Sequence, residues 1–150
     1  MEMIIEQGAR FQVEKRSATR EEYQSLRSQS DWYTVGNQFA KTAFGKELYS
    51  VVVLDGPKVI GLGSVVGDGA IYFNILDIVV HPNYDNKNVS ELIMDHIEGY
   101  FETIASQYAY IGVMAPGGTK KLYKKYGFVE RKNNCSGMFK ILIKRNSKNP

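Results

Sequence analysis

The chain is predicted to fold as an α/β (α+β) domain: a mixed, mostly antiparallel central sheet of about six to seven strands, with about four helices on both faces. Three features of the sequence carry this expectation. Residues 48–81 read as a meander of strands broken by two tight turns. Residues 89–104 hold the strongest helical pattern in the chain. Strand, short helix and strand then follow, an order that requires crossovers rather than further hairpins.

Each element has a local reason. Met3–Glu6 adds a short strand or stays loose, and Phe11–Arg16 alternates weakly as a first strand. Thr19 and Glu22 fit a capping box, so a helix starts there and runs to about Gln29. Residues 30–34 interrupt it. Val35–Phe44 is a second short helix, with Val35, Phe39 and Ala43 at helical spacing and Gly45 to end it. Leu48–Leu54 is apolar and β-branched, Asp55 and Gly56 signal a turn, and Val59–Val66 is the partner strand. Gly67–Gly69 turns again, Ile71–His81 is the third strand, and Pro82 ends the ladder because it has no amide hydrogen. Val89, Leu92, Ile93, Ile97, Tyr100, Phe101 and Ile104 keep the 3.6-residue period, with Asn88 as N-cap and Glu91 completing its box. Tyr108–Ala115 is a strand and Thr119–Tyr126 a helix closed by Gly127. Val129–Arg131 and Met138–Ile143 are closing strands, and the polar tail 144–150 frays. Residues 1–150 make one domain with its core in about 11–143.

Composition narrows the function classes. With 43% hydrophobic and 23% charged residues, the chain is ordinary globular material. Lys plus Arg exceeds Asp plus Glu by only three (19 − 16), too little to argue for nucleic acid. The charges on 120–125 read as a solvated helix face. No apolar run approaches the ~20 residues of a membrane span. Cys135 is the sole cysteine, so no intrachain disulfide forms; with no apolar leader, a reducing cytoplasm is the expected compartment. As a nucleophile Cys135 lacks a base other than His81 or His96. No cluster of His, Cys, Asp and Glu has metal-site spacing, so no metal is expected.

Several side chains suit chemistry. Tyr123 stands on a helix face beside a strand end, in YKKYGF at 123–128, where a phenol can give a proton to a leaving thiolate. Tyr126 lies three residues on, on a similar face. Asp77 sits among apolar neighbours in NILDIVV at 74–80, and period-two alternation groups it with Phe73, Ile75 and Val79. Partial burial raises a carboxylate pKa, which suits a base; a structural hydrogen bond accounts for it equally well. His96 falls on the apolar side of the long helix as a packed histidine, and His81 at a strand end is expected to be exposed.

At this point the chain resembles the GNAT superfamily of N-acetyltransferases. The resemblance covers about 11–143 and rests on the element order, on IVVHPNY at 78–84 and on LYKKYGFV at 122–129. It implies acetyl-CoA as cosubstrate, transfer to an amine of a small molecule or peptide by direct attack in a ternary complex, and no role for nucleic acid or membrane; it admits a homodimer. It implies that the backbone of Ile78, Val79 and Val80 pairs with the pantetheine arm, and that a loop of Asp85, Asn86, Lys87, Asn88, Val89 and Ser90 holds the pyrophosphate, with Tyr126 nearby. Tyr123 then is the general acid and Asp77 a base. The family loop reads Arg/Gln-x-x-Gly-x-Gly/Ala, whereas here Asp85, Asn88 and Ser90 stand at its defined positions. Asn88 tolerates positive φ, Ser90 is small, and Asp85 brings a negative charge that Lys87, Lys120, Lys121, Lys124 and Lys125 can offset. An acceptor pocket is expected at the two early helices, with Asp31, Trp32, Tyr33, Phe39 and Phe44; core packing explains Trp32 and Phe39 as well. The alternative is a noncatalytic binding module on the same fold.

Overall fold

Turn chemistry lays out the sheet. The structure, a computed structural model, describes residues 2–5, 10–28, 37–85 and 87–142. Strands β1 (Glu2–Ile5), β2 (Gln12–Lys15), β3 (Tyr49–Asp55), β4 (Lys58–Gly67), β5 (Tyr72–Val80) and β6 (Tyr110–Val113) lie side by side in chain order. The first four pairings are antiparallel, and β5–β6 is parallel. Gly56, at φ +59°, turns β3 into β4. Asp68 turns β4 into β5, its Oδ1 accepting the amides of Ala70, Ile71 and Tyr72 and holding the carboxyl below its ordinary pKa.

Helices α1 (Arg20–Ser28) and α2 (Asn37–Ala43) precede the meander, α3 (Val89–Ile104) makes the β5–β6 crossover, and α4 (Lys120–Lys125) follows β6. The expected capping box opens α1: Thr19 N donates to Glu22 Oε1 at 2.8 Å, and Glu22 N donates to Thr19 Oγ1 at 3.1 Å. Arg16 forks onto the same carboxylate at 2.7 and 2.9 Å, fixing the α1 start against β2. In α2 the buried side chain is Ala40, while Phe39 and Ala43 are exposed. The spacing of Phe39 and Ala43 therefore marked the wrong face, and Val35 lies outside the described residues.

Two apolar layers hold the sheet. On one face Val13, Val51, Val53, Ile60, Val65, Phe73 and Ile75 pack under α3 through Val89, Ile93, Ile97 and Phe101. Each such side chain stabilises by roughly 1.5–3 kcal/mol. Gly61 and Gly63 let α3 come this close: a Cβ at Gly61 would lie 2.9 Å from Val89 Cγ1, and one at Gly63 would strike Ile93. The other face is thinner, with Tyr23 and Leu26 of α1 against Val52, Leu54, Leu62 and Val79.

The closing strands expected at 129–131 and 138–143 do not form among the described residues; 128–142 is irregular apart from a 3-10 turn at Asn133–Cys135. Alternation signals extension, and pairing needs a neighbour that this segment does not reach. Glu130 is drawn to Lys120 and Lys124, and Arg131 folds back on the Cys135 carbonyl and thiol. Val129, Met138, Phe139, Ile141 and Leu142 are left exposed.

Candidate functional site

A wedge opens between β5 and β6. Their pairing runs from Tyr72↔Tyr110 to Ile75↔Val113 and stops, although β5 continues to Val80. Two local features coincide with the end of the pairing. On β5, Leu76 faces Ser64 and Val79 faces Leu62, so two residues of β5 oppose Gly63 alone. That is a β-bulge, which bends the strand that carries it. On β6, the chain leaves the sheet after Val113 into a turn where Thr119 N donates to the Pro116 carbonyl at 3.0 Å and Gly118 takes φ +84°. Among the described residues, Leu76–Val80 has no strand partner on this side. The main chain of Ile78, Val79 and Val80 therefore borders the opening.

The bulge also corrects the grouping of Asp77. Phe73 and Ile75 pack under α3, but Val79 packs with α1 on the opposite face. Strict alternation would have put them together; the extra residue shifts the phase. The side chain of Asp77 lies outside the described residues, as does Asn86.

Beyond β5 the chain is pinned before it enters α3. His81 is buried, not exposed as expected, and its Nδ1 accepts the Asn83 amide at 3.1 Å. The Tyr84 hydroxyl donates to Asp55 Oδ2 at 2.7 Å, which Arg10 also grips at 2.8 Å. Asn88 takes φ +59°, ψ +27°, the left-handed conformation its residue type tolerates. Its side chain makes no cap bond, so the expected box with Glu91 is absent; a left-handed Asn88 starts the helix by backbone shape instead. The first ladder bond of α3 is Leu92 N to Asn88 O, at 3.1 Å. The amides of Val89, Ser90 and Glu91 precede that bond, at the positive end of the helix dipole. Asp85 and Lys87 are exposed, just ahead of α3 in the chain.

On α4 the two tyrosines part company. Tyr123 is buried against Phe128, ring centroids 5.8 Å apart, and faces a cavity of about 530 Å³ bordered by β6, Lys120 and Lys124. Burial pushes its phenol pKa above the ordinary value, and its hydroxyl has no hydrogen-bond partner among the described residues. Tyr126 instead ties α4 to α3: its hydroxyl donates to Asp95 Oδ1 at 2.7 Å and lies 3.0 Å from the Glu91 carbonyl. Burial, then the Asp95 carboxylate, raise its pKa. Lys125 pairs with Glu91 at 2.6 Å, and Lys120 and Lys124 pair with Glu130. Of the lysines expected around an anion, Lys87 and Lys121 are the ones with no such pairing among the described residues.

A second, smaller cavity of about 170 Å³ lies on the α1–α2 face, between Tyr23, Phe44 and the sheet. Ser50 and Ser64 enter it with their hydroxyls 2.8 Å apart, and Leu76 borders it where the wedge begins. This pair was missed in the sequence; two serines at period-two positions inside Val-rich strands were the available signal. Asp31, Trp32 and Tyr33 lie outside the described residues, and Phe39 is exposed on α2, away from the cavity lining. Cys135 is exposed and bonded by Arg131 rather than by a histidine. The His96 Nε2 is buried with no partner among the described residues. Among those residues no group of side chains has the makings of a metal site, and no helix is long and apolar enough to cross a membrane.

Comparison with known proteins agrees with this geometry. A family model described as an acetyltransferase (GNAT) domain matches residues 46–130. No curated protein matches the sequence. Among solved structures, a Staphylococcus aureus protein described as a probable acetyltransferase is 30% identical, with a TM-score of 0.83 over 88% of this chain and 99% of that one. A GNAT-family acetyltransferase of Streptococcus pneumoniae is 25% identical, with a TM-score of 0.71 over 90% of this chain and 98% of that one. Glucosamine-6-phosphate N-acetyltransferase of Arabidopsis thaliana shares the fold at 14% identity, with a TM-score of 0.60 over 85% of this chain and 99% of that one.

Proposed function

Because the chain belongs to the GNAT acetyltransferase family, we propose that it moves an acetyl group from acetyl-CoA to an amine of a small molecule or peptide, by direct attack in a ternary complex. One observation carries the reading: β5 runs five residues past its last pairing with β6, Leu76 to Val80, leaving main-chain donors and acceptors along an open wedge. Such groups can pair with the amides of a pantetheine arm as a strand would. The left-handed Asn88 and the amides of the first turn of α3, which precede its first ladder bond, suit a pyrophosphate. Acetyl-CoA supplies the acyl carbon as a thioester.

In this reading the chain's residues orient and move protons. An amide of the wedge faces the thioester oxygen and stabilises the charge that develops there. Tyr123, kept protonated by burial, gives its proton to the departing sulfur. Asp77, directly or through water, takes the proton that the amine sheds. A cytoplasmic setting accords with such chemistry.

A second reading keeps the fold but not the turnover. Its support is electrostatic: Asp85 stands just ahead of α3 in the chain, while Lys120, Lys124 and Lys125 are engaged by Glu130 and Glu91. Calorimetric titration with acetyl-CoA separates the two. Saturable binding with thiol release in the presence of amines upholds the transferase; no heat at millimolar acetyl-CoA removes it.

A further inference from the structure

We propose that the cavity on the α1–α2 face is the acceptor site and that it takes a short α,ω-diamine. This rests on the acetyl-transfer reading above and names its substrate class. The first argument is position. Ser50 faces Ser64 across β3–β4, and Ser64 faces Leu76 across β4–β5. Opposed residues share a face, and strands lie ~4.8 Å apart, so this row spans about 10 Å. It ends at Leu76, the first residue past the last β5–β6 pair. A ligand lying along the row has one end at the serines and the other at the wedge.

The second argument is chemistry at the far end. Glu47 lines the cavity, and its Oε2 accepts from Ser17 Oγ and Gly45 N, both at 2.9 Å. The carboxylate is thereby fixed in place, and Oε1 has no partner among the described residues. The two serine hydroxyls spend one hydrogen on each other and keep lone pairs that can accept from N–H. Phe44 stands edge to face with Tyr23 at 4.8 Å and offers a ring to a cation, while the Tyr23 ring already carries the Arg27 guanidinium, 4.4 Å from its centroid. Lys46 also lines the cavity, the one cation among its described residues, and Glu47 sits beside it in the chain. The fixed Glu47 carboxylate, the serine acceptors and the Phe44 ring are the groups that suit a distal ammonium.

Size and walls complete the match. At about 170 Å³ the cavity is on the scale of a small amine. Leu62, Val66 and Leu76 offer apolar wall to the methylenes. The near amine, neutral, attacks the thioester carbon; the N–C bond forms as the C–S bond breaks. The sulfur takes a proton from Tyr123, the nitrogen gives one up to water, and the distal ammonium keeps its charge.

The test compares butane-1,4-diamine, butan-1-amine and a lysine-containing peptide by acetyl-CoA-dependent thiol release, with calorimetry of the diamine alone on the full chain. At least a tenfold higher kcat/KM for the diamine than for the monoamine is expected, with the peptide lowest. Glu47→Gln, which keeps an acceptor oxygen for Ser17 and Gly45, should shrink that ratio severalfold at an unchanged melting temperature; Ser64→Ala should shrink it less. Equal rates for diamine and monoamine, a preferred peptide, or a ratio unmoved by Glu47→Gln overturns the proposal. Diamine binding that depends on Glu47 in a protein that ignores acetyl-CoA would sink the transfer reading and leave the cavity assignment standing. Turnover without diamine preference would do the reverse.

Discussion

β5 meets its two neighbours on different terms. Toward β4 the ladder runs from Phe73↔Gly67 to Val80↔Gly61, absorbs a bulge, and is closed from above by α3 seated on Gly61 and Gly63. Toward β6 it holds for four pairs, Tyr72–Ile75, and then the strands part. The same strand is thus a core element on one side and an open edge on the other. The lesson is that a backbone site is built by withholding partners. The bulge in β5 falls just past the end of its pairing with β6, where the strand is held by β4 alone.

Changes on the open side should cost function with little stability, and changes on the closed side the reverse. The largest expected effect is Tyr123→Phe, a fall in kcat of about 10²–10⁴ with acetyl-CoA affinity retained in a calorimetric titration. Because burial favours the neutral phenol, the wild-type rate should hold through the alkaline range up to the ordinary tyrosine pKa of 10.0 and not decline before it. A matching fall in affinity would place Tyr123 in binding rather than proton transfer. Next comes Gly63→Val on the closed side. Its branches would strike Ile93; overpacking of this kind costs typically ~1–3 kcal/mol, read as a lower denaturant midpoint. An unchanged midpoint would mean that α3 does not rest on this glycine.

Smaller effects belong to the loop that leads into α3. Asn88→Val places a β-branched residue at φ +59°, a strain of ~1–2 kcal/mol, so acetyl-CoA should bind about tenfold more weakly. Asn88→Gly should bind as the wild type does. If both variants bind equally, backbone shape at this position is irrelevant to the ligand. The smallest change is Asp85→Asn, which removes a negative charge just ahead of α3 and should tighten acetyl-CoA about two- to fivefold at low salt, less at high salt. A salt-independent gain would point to packing instead of charge.

What the sequence made legible follows the range of the interaction. The capping box of Thr19 and Glu22, the apolar stripe of α3 and the left-handed tendency of Asn88 are local, and each appears where its residues put it. The grouping of Val79 with Phe73 and Ile75 failed because one extra residue in the bulge reverses the alternation, and pairing across strands decides where that residue falls. His81 looked exposed beside Pro82, yet the 3-10 turn folds its ring inward onto the Asn83 amide. Residues 129–131 and 138–142 carry strand-like patterns that tertiary contacts of Glu130 and Arg131 override. Tyr123 and Tyr126 look alike in sequence; only the position of Asp95 on α3 makes one a strut and leaves the other's hydroxyl without a partner among the described residues.

The wedge itself is best interrogated by amide hydrogen exchange along β5, with and without acetyl-CoA. Slowed exchange confined to the amides of 76–80 and the first turn of α3, with 61–67 unaltered, is the expected result. Exchange at 76–80 that stays the same while acetyl-CoA is bound would contradict a cofactor gripped by the main chain of β5.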